Sequence, residues 1–178
     1  MSNWEDITIY TVGHSTRSEE DFKQLLIAHG IKCIADVRAF PSSRRYPQFN
    51  QRELAAALQQ HGIAYEHVPS LGGRRRSKRD SINTGLRNES FRAYADHMES
   101  EEFRNGIEQL RTLAKKSPTA VMCAEALWWR CHRSLISDHL KSKGAKVIHL
   151  LDAKKTEEHR FTPAARIEND ELNYRGLL

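Results

Sequence analysis

Between Met122 and Arg133 the chain sets two thiols, a carboxylate, an imidazole and two guanidiniums close together: Cys123, Glu125, Arg130, Cys131, His132 and Arg133. Cys131 stands beside His132 and Arg133 where a helical pattern begins. A helix dipole and neighbouring cations there would favour a nucleophilic thiolate. The alternative is a buried structural cysteine, and Cys123, ending an apolar run, has the same alternative as a small hydrophobe. Glu125 would serve as general acid or base if partly desolvated, or as a hydrogen-bonded strand-end carboxylate.

Three further clusters share this character. His14 and Ser15 follow Gly13. Asp36 and Arg38 lie two apart, hence on one side of an extended strand, as a carboxylate base and anion clamp or as a structural pair. Gly72 and Gly73 precede a run, Arg74 to Arg79, in which five of six residues are cationic. Such guanidiniums would fork phosphate oxygens, and the glycines would let the backbone approach a ligand. Phe40, Tyr46 and Phe49 interleave with Arg38, Arg44, Arg45 and Arg52, as on a surface for single-stranded nucleic acid, or else pin their loop to the core. Of Trp128 and Trp129, one is expected to pack and the other to line the cleft.

Spacing excludes several chemistries. An Arg six residues after a catalytic Cys, as cysteine phosphatases need, is missing: those positions hold Trp129 and Ser137. There is no G-x-x-x-x-G-K-[ST] loop and no G-x-G-x-x-G, which disfavours P-loop hydrolysis and dinucleotide binding. His14, Cys123, Glu125, Cys131, His132 and His149 are metal-compatible types, but no C-x-x-C or H-E-x-x-H spacing joins them, so no metal ligand is assigned and no cofactor is specified.

The elements that must hold these clusters are read from periodicity. Alternating apolar runs predict strands at 7–12, 31–37, 63–68, 119–123 and 145–151. Thr16 with Glu19 reads as a capping box before a helix carrying Phe22, Leu25 and Leu26, and Asn50 with Glu53 as the cap of a second. A long loop is expected from Pro69 to about Asn88, and long loops in compact domains are commonly functional. Helix follows from 89 to 116, broken near Ser100. Strands alternating with helices imply an α/β fold: one domain over 1–178, a mostly parallel five-stranded sheet of order 3-2-1-4-5, helices on both faces, and a polar tail from 152 to 178. That order seats strands one and four together, bringing His14 close to Cys123 at the carboxyl edge, where parallel sheets place their chemistry.

Composition sets the class. In 178 residues, 39% are apolar and 29% charged, with a formal charge of +5 and three cysteines. These values suit one globular domain, an anionic partner and a reducing, cytoplasmic setting without a disulfide framework. No apolar run reaches the roughly 18 residues of a membrane span, and the acidic start lacks a signal-peptide core.

Together the motifs Thr11-Val12-Gly13-His14-Ser15, Asp36-Val37-Arg38 with Pro41, Ser43 and Phe49, Leu71-Gly72-Gly73, Met122-Cys123-Ala124-Glu125 and Cys131-His132-Arg133 resemble the domain of unknown function 488 family, the YeaO-like proteins of bacteria and archaea. The resemblance spans roughly Thr8 to Phe161. It implies polar motifs at the predicted site and carries over no substrate or mechanism.

The expectation is therefore an enzyme acting on a phosphate-bearing substrate, a nucleotide or nucleic acid, at the carboxyl edge of the sheet. His14, Asp36, Glu125, Cys131 and His132 are the candidate catalytic residues. Ser15, Arg38, Gly72, Gly73, Arg74, Cys123, Arg130 and Arg133 are candidates for holding substrate. Two alternatives stand beside it: a non-catalytic nucleic-acid-binding module, and a metal-binding protein using His and Cys.

Overall fold

The computed structural model describes residues 3–176. A six-stranded sheet in the order β3-β2-β4-β1-β5-β6 forms its centre. Its strands are β1 (Thr8–Gly13), β2 (Cys33–Asp36), β3 (Ala64–His67), β4 (Thr119–Cys123), β5 (Lys146–Leu150) and β6 (Thr156–Glu158). Every pairing is parallel except β5 with β6.

The period of two in each strand decides what covers each face. Val12, Ile34, Ala120 and Met122 point to one side, against Phe22, Leu25 and Leu26 of α1 (Glu19–Ala28) and Leu54 and Leu58 of α2 (Gln51–Gln59). Ile9, Ala35, Val121 and Val147 point to the other. There they meet Tyr94 of α3 (Glu89–His97), Phe103, Ile107 and Leu110 of α4 (Glu101–Lys116), and Leu135, Ile136 and Leu140 of α5 (Arg133–Ser142). Helices thus lie on both faces, as the alternation of elements requires. The break between α3 and α4 falls at Ser100, whose hydroxyl accepts the amide of Phe103 at 3.1 Å.

Strand order departs from 3-2-1-4-5. β4 inserts between β2 and β1 and pairs with both. A central slot buries both faces, and β4, with all five residues buried and none charged, meets that demand. The neighbourhood of β1 and β4 is retained: the amide of His14 donates to the carbonyl of Cys123 at 3.0 Å. From there the chain diverges, into α1 on one face and α5 on the other, which opens a crevice at the strand ends.

Three smaller expectations are also corrected. Ser18, not Thr16, caps α1, accepting the amide of Asp21 at 3.0 Å. Asn50 is the cap residue of α2 but makes no capping side-chain bond, because its amide oxygen accepts from Ser43 instead. The segment after Asp152 is structured: β6 extends the sheet, and β7 (Arg166–Glu168) pairs with β8 (Glu171–Asn173) as a hairpin. Tyr174 and His159 anchor it in the interior, both about 2% exposed.

Candidate functional site

The loops leaving β1, β2 and β4 enclose two adjoining hollows of about 600 and 340 Å³. Arg38, Phe40, Ser42, Ala124 and Glu125 line both, so they are lobes of one cleft. A hollow of about 640 Å³ between α3, α4, α5 and β8 is lined by none of the candidate residues.

The cleft wall beneath β2 is built on an ion pair. Arg38 Nε and Nη2 donate to Asp36 at 2.9 and 2.8 Å, and its backbone amide donates to the same carboxylate at 3.1 Å. The Tyr65 hydroxyl donates to Asp36 as well. Burial and the adjacent Asp36 charge push the Tyr65 phenol well up, so it remains a donor. Asp36 is fully buried and saturated with donors, which leaves it no free lone pair for a substrate proton. It acts as the counter-ion that orients Arg38.

His14 completes this wall. Its Nδ1 lies 2.9 Å from the Ser15 carbonyl and its Nε2 3.3 Å from Arg38 Nη1. A guanidinium only donates, so the ring carries its proton on Nδ1 and accepts on Nε2. Burial lowers its pKa despite the Ser15 bond, and Arg38 adds to the lowering. His14 is therefore a neutral acceptor stacked on Phe49 at 4.4 Å. Ser15, at the lip, holds φ of 50°, a conformation uncommon outside glycine. Gly13 must lack a side chain, since a Cβ would fall 1.9 Å from the Glu125 carbonyl oxygen.

The floor is formed by sulfur and imidazole. Cys123 and Cys131 are both buried and both line the larger lobe, and the Cys123 thiol donates to the Glu125 carbonyl at 3.4 Å. Cys131 Sγ also lies 3.4 Å from His132 Nδ1, and His132 Nε2 lies 3.0 Å from the Val37 carbonyl. A carbonyl can only accept, so Nε2 carries the proton and Nδ1 is an acceptor aimed at sulfur. Burial drives the His132 pKa down to about 4, which keeps it neutral. Burial opposes ionisation of Cys123, but the Cys131 thiol and Arg133 together bring its pKa below the ordinary thiol value. The neighbouring Cys123, with burial, pushes Cys131 well up. The backbone at Gly73 presses on the imidazole, and a Cβ there would sit 2.5 Å from Nδ1.

Cations occupy the rim. Arg74 and Arg130 are exposed and line the larger lobe, with the Arg74 guanidinium 5.2 Å from the Phe40 ring centroid. Glu125 is exposed too, its carboxylate accepting weakly from the Leu127 amide at 3.4 Å, so it is not the desolvated acid considered above.

Arg133 departs from a substrate-holding role. It is about 1% exposed, and its Nη2 donates to the Glu125 and Ala126 carbonyls at 3.0 and 3.2 Å. The first turn of α5 aims it inward, where it fixes the loop beneath the cleft. Arg75 is likewise held, by Glu102 at 3.1 Å and by loop carbonyls. Gly72 packs on Ala39 without facing the lobes. Among the described residues, no three His, Cys, Asp or Glu side chains converge to hold a metal ion. No helix among them is long and apolar enough to cross a membrane.

Sequence reasoning missed Tyr65, whose alternating strand pattern gave no hint of its phenol, and Phe91, which lines the larger lobe from α3. It also missed a buried relay behind the cleft. His159 Nε2 lies 2.7 Å from Asp138, His159 Nδ1 2.9 Å from His149 Nε2, and His149 Nδ1 against the Thr11 hydroxyl. An Asp on an amphipathic helix carries no local signal of burial.

Parallel strands ending in a crevice with a thiol floor and a cationic rim define an α/β protein whose candidate site lies at the carboxyl edge of its sheet. The chain belongs to the family described as Domain of unknown function DUF488, whose model matches residues 18–140. No curated protein and no solved structure matches it.

Proposed function

We propose that this protein is an enzyme acting on a phosphate-bearing substrate, a nucleotide or nucleic acid, by thiol chemistry in the cleft. One observation carries the reading: two buried thiols and an imidazole acceptor form the floor of a hollow rimmed by exposed Arg74 and Arg130. Arg130 and Arg74 neutralise the phosphate, and Arg38, fixed by Asp36 and His14, presents its remaining surface to both lobes. Cys123, not Cys131, is the nucleophile in this reading, because the Arg133 charge helps bring its pKa down while that of Cys131 is pushed up. The thiolate attacks the electrophilic centre beside the bound phosphate, and the leaving group takes its proton from the Cys131 thiol. His132 Nδ1 keeps that thiol oriented, and Val37 keeps His132 in the required tautomer.

The test is turnover by purified protein across nucleotide, sugar-phosphate and oligonucleotide panels, with and without divalent cations. Activity on at least one class is expected, abolished in C123S and with raised KM in R130A. A folded protein inert across all panels overturns catalysis on such substrates.

A second reading, a non-catalytic nucleic-acid-binding module, draws on Phe40, 65% exposed under Arg74. Oligonucleotide affinity falling steeply with salt and unchanged in C123S would favour it.

A further inference from the structure

Beside the cleft lies a third hollow of about 570 Å³ with a different chemistry. Its walls include Leu86, Phe91, Trp129, Phe161, Pro163 and Ala164, and Arg87 and Arg160 stand among them. The volume falls in the range of small-molecule sites, which are largely apolar with a few polar groups placed to orient the ligand. Two features tie it to the cleft. Phe91 lines both. A single 3₁₀ turn, Trp128–Arg130, contributes Trp129 to this hollow and the adjacent Arg130 to the thiol-floored lobe.

The aromatic wall is held firmly. Trp128 is buried, stacked on His149 at 4.4 Å with the planes 7° apart, and its indole N–H donates to Glu157 at 3.3 Å. Trp129 meets it edge-on at 5.6 Å and is left 49% exposed. On the opposite wall, the Thr162 amide and hydroxyl are both bound to Asp138, fixing the backbone beside Phe161. A large indole that is half exposed on a braced turn, while its neighbour is fully packed, offers a ring face without having to be ordered by a ligand.

We propose that this hollow is a subsite for a nucleobase, stacked on Trp129, whose attached phosphate lies at Arg130 in the cleft. The inference rests on the phosphate-binding reading above and gives the base of that nucleotide its own place beside the cleft. An aromatic base satisfies what each lobe requires: apolar π surface for the indole, and anionic oxygen for the guanidinium one residue later. A sugar phosphate satisfies only the second. Arg87 and the Arg160 side chain, 83% exposed, can meet the base edge or a neighbouring phosphate.

The experiment compares AMP with ribose 5-phosphate, which bears the same phosphate and no base, and with a short single-stranded oligodeoxynucleotide, by calorimetry and tryptophan fluorescence. AMP or the oligonucleotide should bind more tightly than ribose 5-phosphate and quench the emission. W129A should weaken base-bearing ligands roughly ten- to a hundredfold, leave ribose 5-phosphate unchanged, and be largely rescued by W129F. A preference for AMP over the oligonucleotide would place the substrate among free nucleotides, the reverse within a strand; either supports the subsite. Equal affinity for AMP and ribose 5-phosphate overturns the subsite and leaves the phosphate reading standing. So does W129A weakening both ligands alike, which would make the indole a mere support for Arg130. Absence of binding by all three ligands overturns both.

Discussion

Asp138 offers the sharpest test of how the cleft and its neighbouring hollow are held. It lies on α5, fully buried, and its carboxylate accepts four hydrogen bonds: His159 Nε2 at 2.7 Å, the Thr162 amide at 3.0 Å, the Thr162 hydroxyl at 2.6 Å and the Tyr174 hydroxyl at 2.8 Å. All four donors come from the segment after β5, so one side chain latches that segment to the body. Asp138→Ala leaves four donors without their acceptor, two on buried His159 and Tyr174 and two on half-buried Thr162. Each orphaned buried group costs about 1–3 kcal/mol, and relaxation and entering water make such costs sub-additive. We expect a loss of about 4 kcal/mol. With a urea slope of about 2 kcal/mol/M, the unfolding midpoint should fall by about 2 M. Limited proteolysis should cut first within residues 156–176, and Trp129 emission should change as the Phe161 wall loosens. A loss below about 1 kcal/mol, with the tail still protected, would refute the latch and the rigidity claimed for the aromatic wall.

Three other outcomes follow from the same geometry. Burial brings His132, and burial with Lys143 brings His139, from an ordinary 6.5 to about 4; the unfolded chain therefore binds more protons than the folded one between those values. Stability is full above about pH 6.5 and falls as the pH drops towards 4, by on the order of 3 kcal/mol per histidine, and urea melts at pH 7 and 4.5 would check it; equal midpoints would count against neutral, buried rings. Gly73→Ala places a methyl against His132 Nδ1 and should cost about 1–3 kcal/mol while weakening any turnover; a variant of native stability and activity would show that loop and imidazole are not in tight contact. Iodoacetamide labelling, followed by peptide mass spectrometry across pH, should modify Cys123 with a midpoint below the ordinary thiol value and Cys131 only at much higher pH; the opposite order would return the nucleophile role to Cys131.

Local signals reached far into this fold. The strand periods, the helix break at Ser100 and the neighbourhood of His14 and Cys123 were all legible, because each depends on residues close in sequence or on the switch-point rule. The place of β4 was not, since a buried apolar strand looks the same between β2 and β1 as outside β1. Charge misled at Arg133: cationic residues beside a predicted site read as phosphate clamps, yet the first turn of α5 turns this one into the core. The tail misled in the opposite sense. Its charged alternation hides β6 and the β7–β8 hairpin, and only Tyr174 and His159, both buried, record that it belongs to the body.

The insertion of β4 also bears on how the protein is made. Among the described residues, β1 and β2 share no hydrogen-bonded edge, and β1 is flanked by β4 and β5. A nascent chain that has emerged from the ribosome only as far as residue 118 therefore carries a solitary first strand with no partner on either side. Its edge amides and carbonyls have no strand to pair with until the middle of the sheet has been translated. Ribosome-stalled chains ending there should remain open to protease, and resistance should appear only once residues 119–123 and the strand at 146–150 have cleared the exit tunnel.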